Sequence, residues 1–160
     1  MIDLINRKYN LALLPRENLA WNECGYSETD GIVTRLGFYD LPLANVPAEV
    51  FDTSALQMLS LVNNNLSEIP SDIEKLYNLR ELYIGGNALL SLPSQIGGLS
   101  SLIYLYIIED ELSSLPSSLS GLNNLKELVI STNNPTAIID DIHAHGISSK
   151  KIVVNNVEIV

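Results

Sequence analysis

Basic residues are scarce in this chain. Nine lysines and arginines stand against nineteen aspartates and glutamates, a net charge of −10. Nucleic acids are held by clustered cations that displace counterions, so that class of function is disfavoured at the outset. An anionic membrane surface is disfavoured for the same reason. Cysteine is almost absent: Cys24 stands alone, cannot close an internal bridge, and fits a reducing compartment. No run of eighteen apolar residues occurs, so no membrane span is expected. The opening MIDLINRKYNLALLPREN has Asp3 early and no continuous apolar stretch of secretory type, so no cleavable signal is read. The expectation is a soluble cytoplasmic protein. What remains is apolar: 46% of 160 residues, enough for one domain with a real core.

That apolar content is phased. In LRELYIGGNALLSLP, Leu79, Leu82, Ile84, Asn87, Leu89 and Leu92 sit at offsets 0, 3, 5, 8, 10 and 13. This spacing fits neither a helix nor a strand alone. It recurs every 23 residues. One copy later it reads Leu102, Leu105, Ile107, Asp110, Leu112 and Leu115; two copies later, Leu125, Leu128, Ile130, Asn133, Pro135 and Ile138. One copy earlier it reads Leu56, Leu59, Leu61, Asn64, Leu66 and Ile69. A degraded copy precedes these, with Val33, Leu36, Phe38, Leu41, Leu43 and Val46. With one residue deleted, a last partial copy runs Ile147, Lys150, Ile152, Asn155, Val157 and Val160. A fixed period in this range marks a solenoid, in which each coil buries its apolar face only against its neighbours.

The LxxLxLxxNxL core resembles the leucine-rich repeat family, of the 23-residue LPxxIxxLxx type, over residues 33–160. The resemblance implies an α/β fold: a right-handed solenoid with a concave parallel β-sheet and short 3₁₀, α or extended convex segments. The residues say the same. The alternating xLxL segment suits a short strand with both leucines inward. Pro47, Pro70, Pro93 and Pro116 follow the offset-13 residue and suit a convex turn that needs no ladder bond. Asn64, Asn87, Asn133 and Asn155 are expected to form a ladder of amides bonded to neighbouring backbone, with irregularity where Asp110 and Leu41 interrupt it.

Residues 1–32 are read as an N-terminal helical cap, 33–146 as about five repeats, and 147–160 as a partial C-terminal repeat, all one domain. Ile2, Ile5, Tyr9 and Leu13 predict a helix stopped by Pro15; a second is expected to start there and carry Leu19 and Trp21 into the cap. Lys150 falls at an inward position, which predicts a frayed final coil.

Chemistry-bearing motifs are few. His143 and His145 would share a face in a strand, but two solvated loop histidines are the favoured reading. The acidic runs at Glu109–Glu111 and Asp140–Asp141 read as solvated charge, and Cys24 as a packed thiol. No phosphate loop, metal-spaced set or nucleophile arrangement stands out. No cofactor, no metal and no catalytic activity are expected.

The residues between the inward leucines face outward. At offset 2 stand Arg35, Met58, Glu81, Tyr104 and Glu127; at offset 4, Gly37, Ser60, Tyr83, Tyr106, Val129 and Lys151; at offset 6, Tyr39, Val62, Gly85, Ile108 and Ser131. Four of seven tyrosines land here, a density that strand propensity alone does not explain. The predicted partner surface is Tyr39, Met58, Glu81, Tyr83, Tyr104, Tyr106, Ile108, Glu109, Glu127 and Val129. The expected function is protein or peptide binding by a monomer, with Glu81, Glu109 and Glu127 favouring a basic partner. Two alternatives stand beside it: an acidic immunity protein that neutralises a basic toxin, and a structural homo-oligomer that buries the patch on itself.

Overall fold

The computed structural model describes residues 1–159, with all side chains but those of Glu109 and Asp110. Eight strands form one sheet in sequence order: β1 (Gly25–Thr29), β2 (Ile32–Gly37), β3 (Met58–Ser60), β4 (Glu81–Tyr83), β5 (Tyr104–Asp110), β6 (Glu127–Thr132), β7 (Lys151–Val154) and β8 (Val157–Glu158). Strands β2 to β7 are parallel, and an antiparallel partner closes each end. Helix α1 (Ile2–Tyr9) precedes the sheet, and α2 (Pro135–His145) lies between β6 and β7.

The repeat phasing produces this sheet directly. Leu36, Leu59, Leu82, Leu105, Leu128 and Ile152 pair in register from β2 to β7, and all six are fully buried. Each contributes roughly 1.5–3 kcal/mol relative to exposure. Pro47, Pro70, Pro93 and Pro116 hold φ between −54° and −69°. Each is followed by five residues of 3₁₀ helix, at Ala48–Asp52, Ser71–Lys75, Ser94–Gly98 and Ser117–Gly121. The next copy lacks that proline, and its convex segment is the full helix α2, ended by Gly146 in the left-handed conformation.

The asparagine ladder forms in part. Asn64 donates to Phe38 O (2.6 Å) and Val62 O (3.0 Å), and its Oδ1 accepts from Leu43 N (3.4 Å). Asn87 repeats the pattern on Leu61 O, Gly85 O and Leu66 N. Asn133 does not join: it is exposed, and buried Thr132 donates to Leu112 O instead. Asn155 bonds both backbone groups of Thr132 from an exposed turn. The Asp110 side chain lies outside the described residues, but the strand register shifts between Ile107 and Asp110. At Leu41 the chain makes a tight turn in which Leu43 N donates to Leu41 O.

The ends differ from the sequence reading. Helix α1 stops at Tyr9 because Asn10 takes the left-handed conformation, well before Pro15. No second helix follows. Residues 14–16 run beside β1, with Tyr26 N donating to Leu14 O and Arg16 N to Tyr26 O. The Asp30-Gly31 turn, φ 53° and 74°, joins β1 to β2 as a type I′ hairpin. The C-terminal segment is likewise two strands, turned at Asn155-Asn156. Lys150 is exposed rather than inward, because Ile152 pairs with Leu128 and the copy sits two residues from its predicted phase. Cys24 is half-buried against the core, and burial pushes its thiol up.

Candidate functional site on the concave sheet face

The outward rows of the sheet carry the site. At offset 4, Tyr83 and Tyr106 are direct neighbours on β4 and β5, with ring centroids 5.1 Å apart and planes 19° apart. A third ring extends the stack. Trp21 lies 5.9 Å from Tyr83 at 24°, and 46% of it is exposed. The expectation that Trp21 packs into the cap is therefore corrected: residues 19–23 cross the concave face instead. Leu19 O accepts from Arg35 Nε (2.9 Å), and Trp21 O accepts from Ser60 Oγ. Gly37 makes the crossing possible, since a Cβ there would collide with the Glu23 carbonyl oxygen.

This strap covers the start of the predicted patch. Met58 and Ser60 are fully buried, so Met58 cannot meet a partner and leaves the candidate set. Its column position was right; it is enclosed beneath the Arg35–Glu81 bridge, whose arginine the strap anchors through Leu19 O.

The acidic rim also differs from a free anionic surface. Arg35 reaches over Met58 to grip Glu81 with both terminal nitrogens, at 3.2 and 3.3 Å. Tyr83 Oη donates to the same carboxylate (3.1 Å). Glu127 is held alike, by Lys151 Nζ (2.6 Å) and Tyr106 Oη (2.7 Å). Lys151 stands opposite Glu127 at offset 2, not in the offset-4 row. The Lys151 ammonium, then the Tyr106 hydroxyl, hold the Glu127 carboxyl below its usual range. Glu81 and Glu127 thus carry compensated charge, and the motive they supplied for a basic partner falls away. The Glu109 side chain lies outside the described residues.

Burial, then the Glu81 charge and hydrogen bond, push the Tyr83 phenol up to about 12. Burial and the bond to Glu127 raise Tyr106 as well. Both phenols ionise near 10 when the chain unfolds. Between pH 10 and 12 the unfolded state loses protons that the folded state keeps, so this contribution to stability is full below pH 10 and fades above it. We expect the thermal midpoint to fall in that window. We also expect a late phenolate step in ultraviolet titration that Tyr83→Phe with Tyr106→Phe abolishes. A titration unchanged by the double substitution would contradict the assigned bonds.

Beside the ring stack opens a pocket of about 400 Å³, lined by Trp21, Tyr39, Val62, Asn63, Tyr83, Tyr106 and Ile108 with Gly85 and Gly86. Of the predicted residues, Tyr39, Tyr83, Tyr106 and Ile108 line it, and Ile108 is 39% exposed. Tyr104 and Val129 are half-buried on the same face but outside the pocket. Trp21, Asn63, Gly85 and Gly86 were not predicted as site residues. A family model described as a leucine-rich repeat region matches residues 35–135, more than half of the chain.

The chain belongs to the leucine-rich repeat family. Solved structures agree with that assignment. A leucine-rich repeat protein of Leptospira interrogans is 32% identical at a TM-score of 0.59, covering 66% of this repeat protein and 27% of that chain. A chain of the PEPR1–AtPEP1 structure is 25% identical at 0.66, covering 81% and 19%. A chain of the BIR3–SERK2 complex from Arabidopsis thaliana is 30% identical at 0.60, covering 78% and 71%. The chain thus spans about a quarter or less of the first two. No curated protein matches it.

Other candidates on the repeat protein hold no such arrangement. His143 and His145 lie on α2, where a spacing of two puts them on opposite sides rather than one face. His145 Nε2 is 3.6 Å from Asp141, whose other oxygen accepts from Leu115 N. Among the described residues no three His, Cys, Asp or Glu side chains gather to hold a metal, and no helix is long and apolar enough to cross a membrane.

Proposed function

We propose that this repeat protein is a non-catalytic interaction module that holds a protein or peptide segment on its concave face, against the Tyr83–Tyr106 stack. The observation that carries the reading is the ring stack beside an open, uncharged pocket. Half-exposed tyrosine and tryptophan rings on a rigid sheet are the usual anchors of an interface. Neighbours of the same fold support it: they include chains of a PEPR1–AtPEP1 structure, of the plant peptide hormone receptor RGFR1 in complex with RGF2, and of a BIR3–SERK2 complex.

The test is a display selection of random peptides on the folded chain. Tyr83→Ala with Tyr106→Ala is the comparison, checked for a cooperative unfolding transition. Selected binders are expected to weaken at least about thirty-fold, the equivalent of roughly 2 kcal/mol. Binders indifferent to both substitutions would place binding elsewhere and end this reading.

A further inference from the structure

We infer that the pocket takes one uncharged aromatic side chain of the partner, seated over Gly85 beside Trp21. The inference rests on the proposed function and narrows it to a partner chemistry.

The first argument is shape. Along offset 6, Tyr39 and Ile108 stand three strands apart, roughly 14 Å by the usual strand spacing. Between them lie only Val62 and Gly85. Gly86 next door needs its glycine for a left-handed φ of 62°, but Gly85 is not in that region. Gly85 adds no side chain to this row, and the Ile108 carbonyl oxygen, 2.9 Å from where a Cβ would stand, already closes on it, so the pocket wall here is backbone alone.

The second argument is charge. The net charge is −10, yet no charged residue lines this pocket. Two carboxylates of this face, Glu81 and Glu127, are occupied by Arg35 and Lys151. A lysine or arginine entering here loses water and meets no charged side chain in the pocket lining.

The third argument is the ring geometry. Trp21, Tyr83 and Tyr106 stack on one another, so their inner faces are used. The tyrosine hydroxyls lean to the offset-2 row, where Glu81 and Glu127 hold them. The edges turned toward Gly85 therefore carry C–H groups. Ring edges are positive and ring faces negative, so a guest ring lying across these edges gains what an aliphatic guest does not, and a cation is repelled. Trp21, delivered by the strap, already demonstrates that this row accepts an aromatic ring from a crossing segment.

The probes are three capped tripeptides, Gly-Phe-Gly, Gly-Leu-Gly and Gly-Lys-Gly, titrated into isotope-labelled protein. We expect the phenylalanine peptide to shift the Trp21 indole N–H and the Gly85 and Gly86 amides saturably. It should bind about two- to ten-fold tighter than the leucine peptide, and the lysine peptide should leave these signals unmoved. Gly85→Val should abolish the shifts; should that variant fail to fold, Tyr39→Ala removes an outer wall and should weaken them. Equal binding of the leucine or lysine peptide, or shifts that map away from Gly85, would overturn the inference. The peptide selection separates the two claims. Face-dependent binders without an aromatic residue overturn the anchor and leave the concave-face function standing, whereas the absence of any face-dependent binder removes the function itself.

Discussion

Gly37→Val is expected to detach residues 19–23 from the concave face and lay Met58 open to solvent. The new side chain meets a carbonyl oxygen, that of Glu23, and the Leu19 side chain 3.3 Å away, so the strap must lift. With it go the Arg35–Leu19 and Ser60–Trp21 hydrogen bonds and the Trp21–Tyr83 stack. Arg35, which reaches over Met58, loses its Leu19 anchor; exposing Met58 forfeits roughly 1.5–3 kcal/mol, and each bond about 0.5–1.5. We expect a total loss of about 3 kcal/mol or more in urea unfolding. The structural readout is oxidation: Met58 is fully buried, while Met1 is 43% exposed and serves as the internal standard. In the parent chain peroxide should convert Met1 first; in the variant both should react at similar rates. Ser60→Ala removes one bond without steric conflict, costs about 1 kcal/mol, and should keep Met58 protected. A variant at Gly37 that keeps its full stability with Met58 still protected would show that the strap tolerates the side chain and is not seated as described.

The strap also marks where the sequence was readable and where it was not. The inward ladder from Leu36 to Leu128 was legible because a short-range rule produces it: alternation within each strand and one coil stacked on the next. The outward rows followed from the same rule. What lay on those rows did not, because the covering segment comes from outside the repeat. Trp21 and Met58 are 37 positions apart, and no periodicity links them. A signal was nonetheless present: Gly37 and Ser60 are the two smallest residues in the offset-4 row, side by side at its N-terminal end. Small side chains in a row that elsewhere carries tyrosine and valine leave room for a second layer.

The last repeat failed for a different reason. Lys150 was placed inward by a phase two residues off, and a slip of two leaves every side chain on the same face. Ile152 is buried under either phase, so the apolar pattern could not choose. The choice was made by α2, eleven residues of helix in place of a 3₁₀ turn. Its consequence is functional: the true register brings Lys151, not Lys150, opposite Glu127. That pairing compensates Glu127 and holds the hydroxyl of Tyr106 through it. The charge character of the face is thus set by a helix on the other side of the solenoid.

Asparagine shows the same division between letter and place, and it supports the second large prediction. Asn87→Leu should cost about 3 kcal/mol, whereas Asn133→Leu, at the same offset two coils later, should change stability by less than about 0.5. Asn87 Oδ1 accepts from Leu66 N (3.1 Å) and its Nδ2 donates to Leu61 O (2.9 Å). Leu61 and Leu66 are both fully buried. Leucine matches the volume but meets neither group, and each buried backbone group left without its amide costs about 1–3 kcal/mol. Asn133 is exposed, and the equivalent inward task is done by Thr132 through its bond to Leu112 O (2.7 Å). Thr132→Val should therefore behave like Asn87→Leu on a smaller scale, about 1–2 kcal/mol, since of the two groups it frees, Leu112 O and Asn134 N, the second belongs to an exposed residue that water can reach. Urea midpoints at constant slope would order the three variants as Asn87, Thr132, Asn133. Equal losses at Asn87 and Asn133 would mean that the motif, not the coil it sits in, governs stability, and would refute the bonding assigned to both.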